Sequence, residues 1–298
     1  MGGRTGAKPF VKWAGGKGQL LATLGGMLPE ELLAGRPFSY LEPFVGGGAM
    51  LFYLLQRFPN IEHAVINDVN PTLTGTYRVI KERHEELAEE LAELSGRYFS
   101  LADHEARREL FLSIRAAYNT EGLDELMRAK YFIFLNKTCF NGLYRVNAKG
   151  LFNVPFGRYK APKICDRETL AQDSALLQRV EILTGDFTQM LRYAGEYTFA
   201  YYDPPYRPLD ATSSFTSYTK EMFDDADQLR LKEHFDAMHA EGCLLMLSNS
   251  DGRGRNAENS FLDDLYAAYS IDHVQAIRAL NSNPQKRGKL TEIVVRNY

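Results

Sequence analysis

A chain of 298 residues with 45% hydrophobic and 24% charged residues has ordinary globular composition, and suits one large α/β domain or a core domain carrying an insertion. It has no run of about 18 apolar residues to span a membrane, Met1–Lys8 carries no apolar signal region, and Cys139, Cys165 and Cys243 lack the paired spacing of a zinc site or disulfide framework. The net charge of −3 gives no hint of a nucleic-acid partner, and the expected compartment is a reducing cytoplasm.

The first feature is Phe10-Val11-Lys12-Trp13-Ala14-Gly15-Gly16-Lys17-Gly18, ahead of an amphipathic segment over Leu20–Leu33. The only tryptophan stands beside a glycine turn that allows close backbone approach, with Lys17 able to bring a charge into the same space. The same residues also suit a core Trp beside a helix entry, and the P-loop spacing is absent. Tyr40–Gly48 reads as a short strand running into a Gly-Gly-Gly turn, followed by a helix over Ala49–Arg57 and a strand over His63–Asp68. Asp68 follows Gly48 by 20 residues, where nucleotide-binding α/β units place an acid against ribose hydroxyls. The turn is not Gly-x-Gly-x-x-Gly, which counts against a nicotinamide dinucleotide.

After Asn70-Pro71 the alternation of strand and helix stops. Helices are predicted over Tyr77–Leu94, Ala106–Ala117 and Leu123–Leu135, and so long an interruption reads as an inserted helical domain. The resulting division is 1–71 with 164–298, and 72–163. The insertion closes with Lys137–Lys163, which has six basic residues and no acid, and Gln275–Thr291 carries four more without an acid. Outside these two stretches the acidic excess is 13, so an acidic body carries concentrated basic segments suited to phosphates. Asn141-Gly142, Gly150 and Pro155 place the first on a basic hairpin.

The α/β rhythm resumes with a helix over Arg167–Gln178, a strand Val180–Leu183 ending in Gly185-Asp186-Phe187, and the apolar strand Phe199–Tyr202. That strand ends in Asp203-Pro204-Pro205-Tyr206. Two prolines cannot continue a ladder, so the backbone leaves the sheet with fixed φ angles, an acid on one side and a phenol on the other. This is a rigid grip for a flat amine-bearing ring, and it also fits a plain Pro-Pro turn. A helix capped by Asp224 with Asp227 follows, then a strand over Cys243–Ser248. The last strands, Ile271–Ala279 and Glu292–Arg296, are joined by the basic loop Asn281–Lys289, so the final strand is expected to run antiparallel.

Together these motifs resemble the Dam-type DNA adenine-N6 methyltransferases, the D12 class of the alpha group. The resemblance rests on Lys12–Lys17, Glu42–Gly48, Asp68, Phe140–Leu143, Phe152–Lys160, Gly185–Phe187 and Asp203–Tyr206, in the family's order and across nearly the whole chain. It implies a Rossmann-like S-adenosylmethionine-dependent methyltransferase sheet with an antiparallel last strand, plus an inserted, mainly helical target-recognition domain with a basic hairpin.

The resemblance further implies a role for each matching residue. Trp13, Lys17, Asp68 and Asp203 are the principal S-adenosylmethionine contacts, with Glu42, Phe44, Gly46, Asp186 and Phe187 as further ones. Asp203 and the carbonyl of Pro204 accept hydrogen bonds from the adenine amine, and Tyr206 supplies the stacking plate for a flipped base. Lys12, Leu143, Arg145, Pro155, Arg158 and Tyr159 meet base edges or phosphates, and Phe140 inserts beside the flipped base. No metal is implied. Double-stranded DNA is the partner, GATC is the expected site, a companion restriction endonuclease is compatible with the family, and the chain is expected to be monomeric. A nicotinamide oxidoreductase would leave the Asp-Pro-Pro-Tyr strand and basic stretch unexplained. A non-catalytic DNA binder would break the acceptor motif or Lys17. Asp203 and the recognition stretch argue against cytosine N4 or a protein amide.

Overall fold

The computed structural model describes residues 6–13, 15–206, 223–250, 260–277 and 289–298. Seven strands build one sheet: β1 (Phe38–Glu42), β2 (Ile61–Asp68), β3 (Val180–Thr184), β4 (Thr198–Tyr202), β5 (Leu244–Ser250), β6 (Ser270–Ile277) and β7 (Lys289–Arg296). Their order is β3-β2-β1-β4-β5-β7-β6. Strands β1 to β5 are mutually parallel, and β7 lies antiparallel between β5 and β6. The expected mixed α/β sheet with an antiparallel last strand is therefore present. All five residues of the central β4 are buried, as a strand covered on both faces requires.

The reversal of strand order between β1 and β4 matters most for the site. Chain segments leaving the carboxyl ends of these two neighbours diverge to opposite sides, opening a crevice in which α/β sheets hold ligands. The turn after β1 leads into α3 (Ala49–Arg57), where Gly48 at φ +75° is the entry residue. A Cβ on Gly48 would lie 2.4 Å from the Tyr77 hydroxyl, so only glycine fits there.

Between β2 and β3 stand α4 (Pro71–Ser100), α5 (His104–Tyr118) and α6 (Glu125–Thr138). Helix α4 starts at Asn70, whose side chain accepts from the N–H groups of Thr72 and Leu73, with Pro71 at the first helical position. It bends at Arg83, where φ and ψ leave the helical region. The helices bury Leu87, Leu91, Phe111, Phe132 and Phe134 in one apolar core continuous with Phe52, Leu54 and Ile66 under the sheet. A second core, around Tyr202, Leu231, Phe235 and Leu247, fills the opposite face beneath α8 (Asp225–Ala240). Helix α8 begins with the expected Asp224–Asp227 pair as a reciprocal capping box.

Two segments differ from expectation. Leu20–Leu33 is not one helix but α1 (Leu21–Gly25) and α2 (Glu30–Leu33). The adjacent glycines 25 and 26 weaken the helix, and Pro29 sits in extended conformation ahead of α2. The basic segment folds back on itself, yet only two isolated bridges, Cys139 with Phe156 and Val146 with Phe152, replace a ladder. Asn119 explains this: its amide donates to the Phe152 carbonyl (3.0 Å) and accepts from the Phe152 N–H (2.8 Å), satisfying backbone groups that a partner strand would otherwise meet. A short helix, α7 (Arg167–Leu177), returns the chain to β3, and α9 (Phe261–Leu265) precedes β6. Among the described residues no helix is long and apolar enough to cross a membrane.

Candidate active site

At the carboxyl end of β4 the chain turns outward through Asp203 to Tyr206, with Pro204 buried and Pro205 exposed. Lys17 reaches into this turn from the amino-terminal segment. Its ammonium lies 3.1 Å from Asp203 Oδ1 and 2.7 Å from Glu292 Oε2, and it donates to the Tyr206 hydroxyl. The Tyr206 hydroxyl in turn donates to Glu292 Oε1 at 3.1 Å. Lys17 is buried, so its three N–H donors and its charge must be met inside the protein, and these three groups meet them. Burial pulls the ammonium toward neutrality, but Asp203 foremost, with Tyr201, Tyr206 and Glu292, outweighs it and holds the lysine charged. Burial pushes the Asp203 carboxyl up to about 6, against the pull of Lys17 and with the push of Glu292. At neutral pH Asp203 is thus an anion able to accept hydrogen bonds. Among the described residues only its Oδ1 is engaged.

Beside this cluster, the turn after β1 supplies a backbone cradle. Gly46 has φ +48°, and a Cβ there would lie 2.8 Å from Trp13 Cδ1. Asp68, at the end of β2, accepts from the N–H groups of Gly46 (3.1 Å) and Asn70 (2.9 Å). Burial lifts its carboxyl to about 6 while those two donors oppose the rise. Glu42 is buried with Tyr40 donating to it at 2.7 Å, and burial raises its carboxyl well above the usual range. Phe44 packs against Phe187 (5.3 Å) and Phe223 (5.8 Å). Asp186 is exposed, caps its own turn through Thr188, and pairs with Arg230 at 2.9 Å. Paired buried carboxylates, a glycine cradle and an aromatic wall are a donor set suited to a nucleoside with hydroxyl and ammonium groups, so the residues present fit S-adenosylmethionine. Among the described residues no three His, Cys, Asp or Glu side chains stand together as metal ligands.

The candidate DNA-facing residues converge on one side of this crevice. Phe140 is 49% exposed at a turn where Asn141 takes φ +57°, and its N–H is held by the Pro155 carbonyl at 2.8 Å. Arg158 is exposed and also left-handed, at φ +54°. The Lys12 ammonium sits 5.3 Å from the centre of the Tyr159 ring. Arg145 donates from Nε to Asn153 Oδ1 at 2.7 Å, which fixes the direction of its fork. Leu143 is half-buried against the core.

Three groups at the site were not singled out from sequence. Glu292 is the lone acid in a strand otherwise apolar from Ile293 to Val295, a contrast that marks an inward-facing charge. Buried Asn136 accepts from the Lys12 N–H (2.8 Å) and donates to the carbonyls of Lys12 and Gly142 (each 2.9 Å), pinning the Trp13 segment to the basic loop. Asn67 donates to the carbonyls of Pro43 and Gly185, each at 3.0 Å, tying the two turns that flank Asp68. The basic stretch over 278–288 and the Ser/Thr/Tyr loop over 212–219 lie outside the described residues.

Comparison with known proteins agrees with this geometry. A family model for D12 class N6 adenine-specific DNA methyltransferases matches residues 13–280. The chain is 47% identical over 294 residues to the Type II methyltransferase M.MjaIII of Methanocaldococcus jannaschii, covering 98% of this chain and 99% of that one. It is 38% identical to the Type II methyltransferase M1.LlaDCHI of Lactococcus lactis subsp. cremoris, covering 98% and 95%. It is 31% identical to a DNA adenine methylase of Vibrio cholerae, covering 96% and 95%. With a match over most of its length and full-length relatives of this kind, the chain belongs to the D12 class of N6 adenine-specific DNA methyltransferases.

Proposed function

We propose that this DNA adenine methyltransferase acts on an adenine flipped out of duplex GATC, with S-adenosylmethionine as methyl donor. The observation that carries the reading is the meeting of Lys17, Asp203 and Tyr206 at the end of β4, beside the Gly46 cradle. Bound there, S-adenosylmethionine supplies a methyl group activated by a sulfonium charge. Trp13, Glu42, Phe44, Gly46, Asp68, Asp186 and Phe187 hold the donor, with Asp68 taking the ribose hydroxyls.

An adenine inside a duplex cannot reach the end of β4, so it must leave the stack. Tyr206 then lies against the base, and Asp203 with the Pro204 carbonyl accepts from the exocyclic amine. These acceptors draw the nitrogen toward a tetrahedral shape and aim its lone pair. Alignment and preorganised charge supply most of the catalysis. Residues 72–163 read the target: Lys12, Leu143, Arg145, Pro155, Arg158 and Tyr159 at base edges and phosphates, and half-exposed Phe140 beside the vacated position. The protein works as a monomer. The Type II name of the Methanocaldococcus jannaschii relative supports reading the chain as the modification half of a pair with a restriction endonuclease.

The test is to express the protein in a host lacking adenine methylation. Plasmid DNA should then resist an endonuclease blocked by GATC methylation and be cut by one that requires it. Methyl groups mapped to another motif would overturn the GATC assignment. Asp203→Ala should abolish transfer and leave duplex binding largely intact, and undiminished turnover would remove Asp203 from the acceptor role.

A further inference from the structure

Lys17 is shared between two carboxylates, only one of which the methyl-transfer reading uses. Glu292 enters from β7, opposite Ser250 of β5 and Val274 of β6, and is only 8% exposed. Its two oxygens divide their work. Oε2 takes the Lys17 ammonium at 2.7 Å, and Oε1 takes the Tyr206 hydroxyl at 3.1 Å. The same ammonium stands farther from Asp203 Oδ1, at 3.1 Å.

We propose that Glu292 is a positioning residue for methyl transfer, holding Lys17 and Tyr206 so that Asp203 keeps its acceptor capacity for the adenine amine. The inference rests on the acceptor role given above to Asp203. A buried cation between two anions leaves one net negative charge in the cluster. Were Glu292 neutral, Asp203 would be the only carboxylate in contact with the ammonium, and the lysine would draw onto it. The amine of the base would then compete with a charged donor for the same oxygens, a contest a neutral N–H loses. Tyr206 would also lose the acceptor that orients its hydroxyl, and with it one restraint on the ring that faces the base.

Because the proposal concerns charge sharing, it has a readout separate from turnover. The groups facing Asp203 are Lys17 from the amino-terminal segment, Tyr201 on β4, Tyr206 in the turn, Glu292 on β7 and Glu42 on β1. Glu292 is the neighbour that opposes the pull of Lys17 on the Asp203 carboxyl.

The experiment uses Glu292→Gln, which keeps shape and hydrogen-bonding atoms but removes the charge. In the free protein labelled with 13C-aspartate, with the Asp203 signal assigned by Asp203→Asn, the wild-type carboxyl should titrate near 6. In E292Q the midpoint should fall. In single turnover with S-adenosylmethionine and a GATC duplex, E292Q should be slower by about 10- to 100-fold at neutral pH. The acid limb of its rate should move to lower pH, and duplex affinity should stay within about threefold. An unchanged Asp203 midpoint, or an unchanged single-turnover rate, overturns the proposal. If E292Q fails to fold, Glu292→Asp, which withdraws the carboxylate by one methylene, replaces it: a slowed rate at normal duplex affinity supports the role and an unaltered rate overturns it. Asp203→Ala run alongside separates the two readings. An active D203A defeats the acceptor assignment itself, whereas an inactive D203A with an unaltered E292Q defeats only the role of Glu292.

Discussion

The Tyr144 ring lies stacked on the Trp13 ring, with centroids 5.5 Å apart and planes 23° from parallel. Tyr144 neighbours Arg145 in the basic loop, and Trp13 fills the space a Cβ on Gly46 would need. One aromatic pair therefore joins the segment that faces DNA to the glycine cradle. Replacing Tyr144 with Leu keeps apolar volume and removes the stack, worth about 0.5–1.5 kcal/mol. Affinity for S-adenosylhomocysteine, measured by calorimetric titration, should weaken about 2- to 10-fold with little change in melting temperature.

Gly46→Ala is expected to be harsher. Its φ of +48° disfavours any side chain, and the added Cβ would meet Trp13 at 2.8 Å. The left-handed conformation alone costs an alanine about 1–2 kcal/mol. Cofactor affinity should fall more than tenfold, together with a lower melting temperature, and wild-type affinity in this variant would remove Gly46 from the cradle.

Asp173 offers a pH test away from the chemistry. It is fully buried, its Oδ1 accepts from the Lys8 N–H at 3.1 Å, and burial pushes its carboxyl up to about 8 against that hydrogen bond. An unfolded aspartate ionises near 3.9. Between those values the native protein holds a proton that the unfolded chain has released, so stability falls as pH climbs from about 4 to 8 and then levels off. Asp173→Asn removes that dependence and keeps an acceptor for Lys8. Thermal melts should coincide near pH 4, with the variant higher at pH 9 by about 2–4 °C for each kcal/mol recovered. Parallel melting curves across this range would contradict a buried, proton-holding carboxyl.

Arg145→Ala should cost about 1–3 kcal/mol in duplex affinity and relax discrimination at one base pair. Asn153→Ala leaves the guanidinium in place but removes the acceptor at 2.7 Å that orients it, so a smaller loss of about 1 kcal/mol is expected. Methylation mapped by sequencing for both variants checks the ranking, and equal methylation of all sites by Arg145→Ala and wild type would refute the base contact.

What was legible in the sequence followed from local chemistry. Strand β4 announced itself by an apolar run closed by two prolines, α3 by a glycine turn, and α8 by Asp224 and Asp227 three residues apart. The glycines and Pro29 that split Leu20–Leu33 were equally local, but the apolar periodicity across them outweighed them in the reading. Lys17, Asp203 and Tyr206 stood out as motif members before their contact was known. Glu292 did not, because its bond to Lys17 spans 275 residues and exists only through the antiparallel register of β7 beside β5. Asn136 was hidden in the same way, since its hold on Lys12 crosses 124 residues and its own helix reads as ordinary core. The scarcity of ladder pairing in the basic segment was also beyond local rules, because Asn119 on the end of α5 supplies the missing partners.

Helix α4 has a bearing on how such a protein can change its target. It begins two residues after Asp68, beneath the cradle, and carries the chain outward toward the residues that face DNA. A rod of this kind behaves as a gauge block. Adding or deleting one residue along it turns everything beyond by about 100° and shifts it by about 1.5 Å. Such a change would carry Leu87 and Leu91 off the shared core and break the stack of Tyr144 on Trp13. Length changes there are barred, so new specificities must come by exchange of side chains on the outer loop between Phe140 and Lys160, while the distance from reader to acceptor is inherited unchanged.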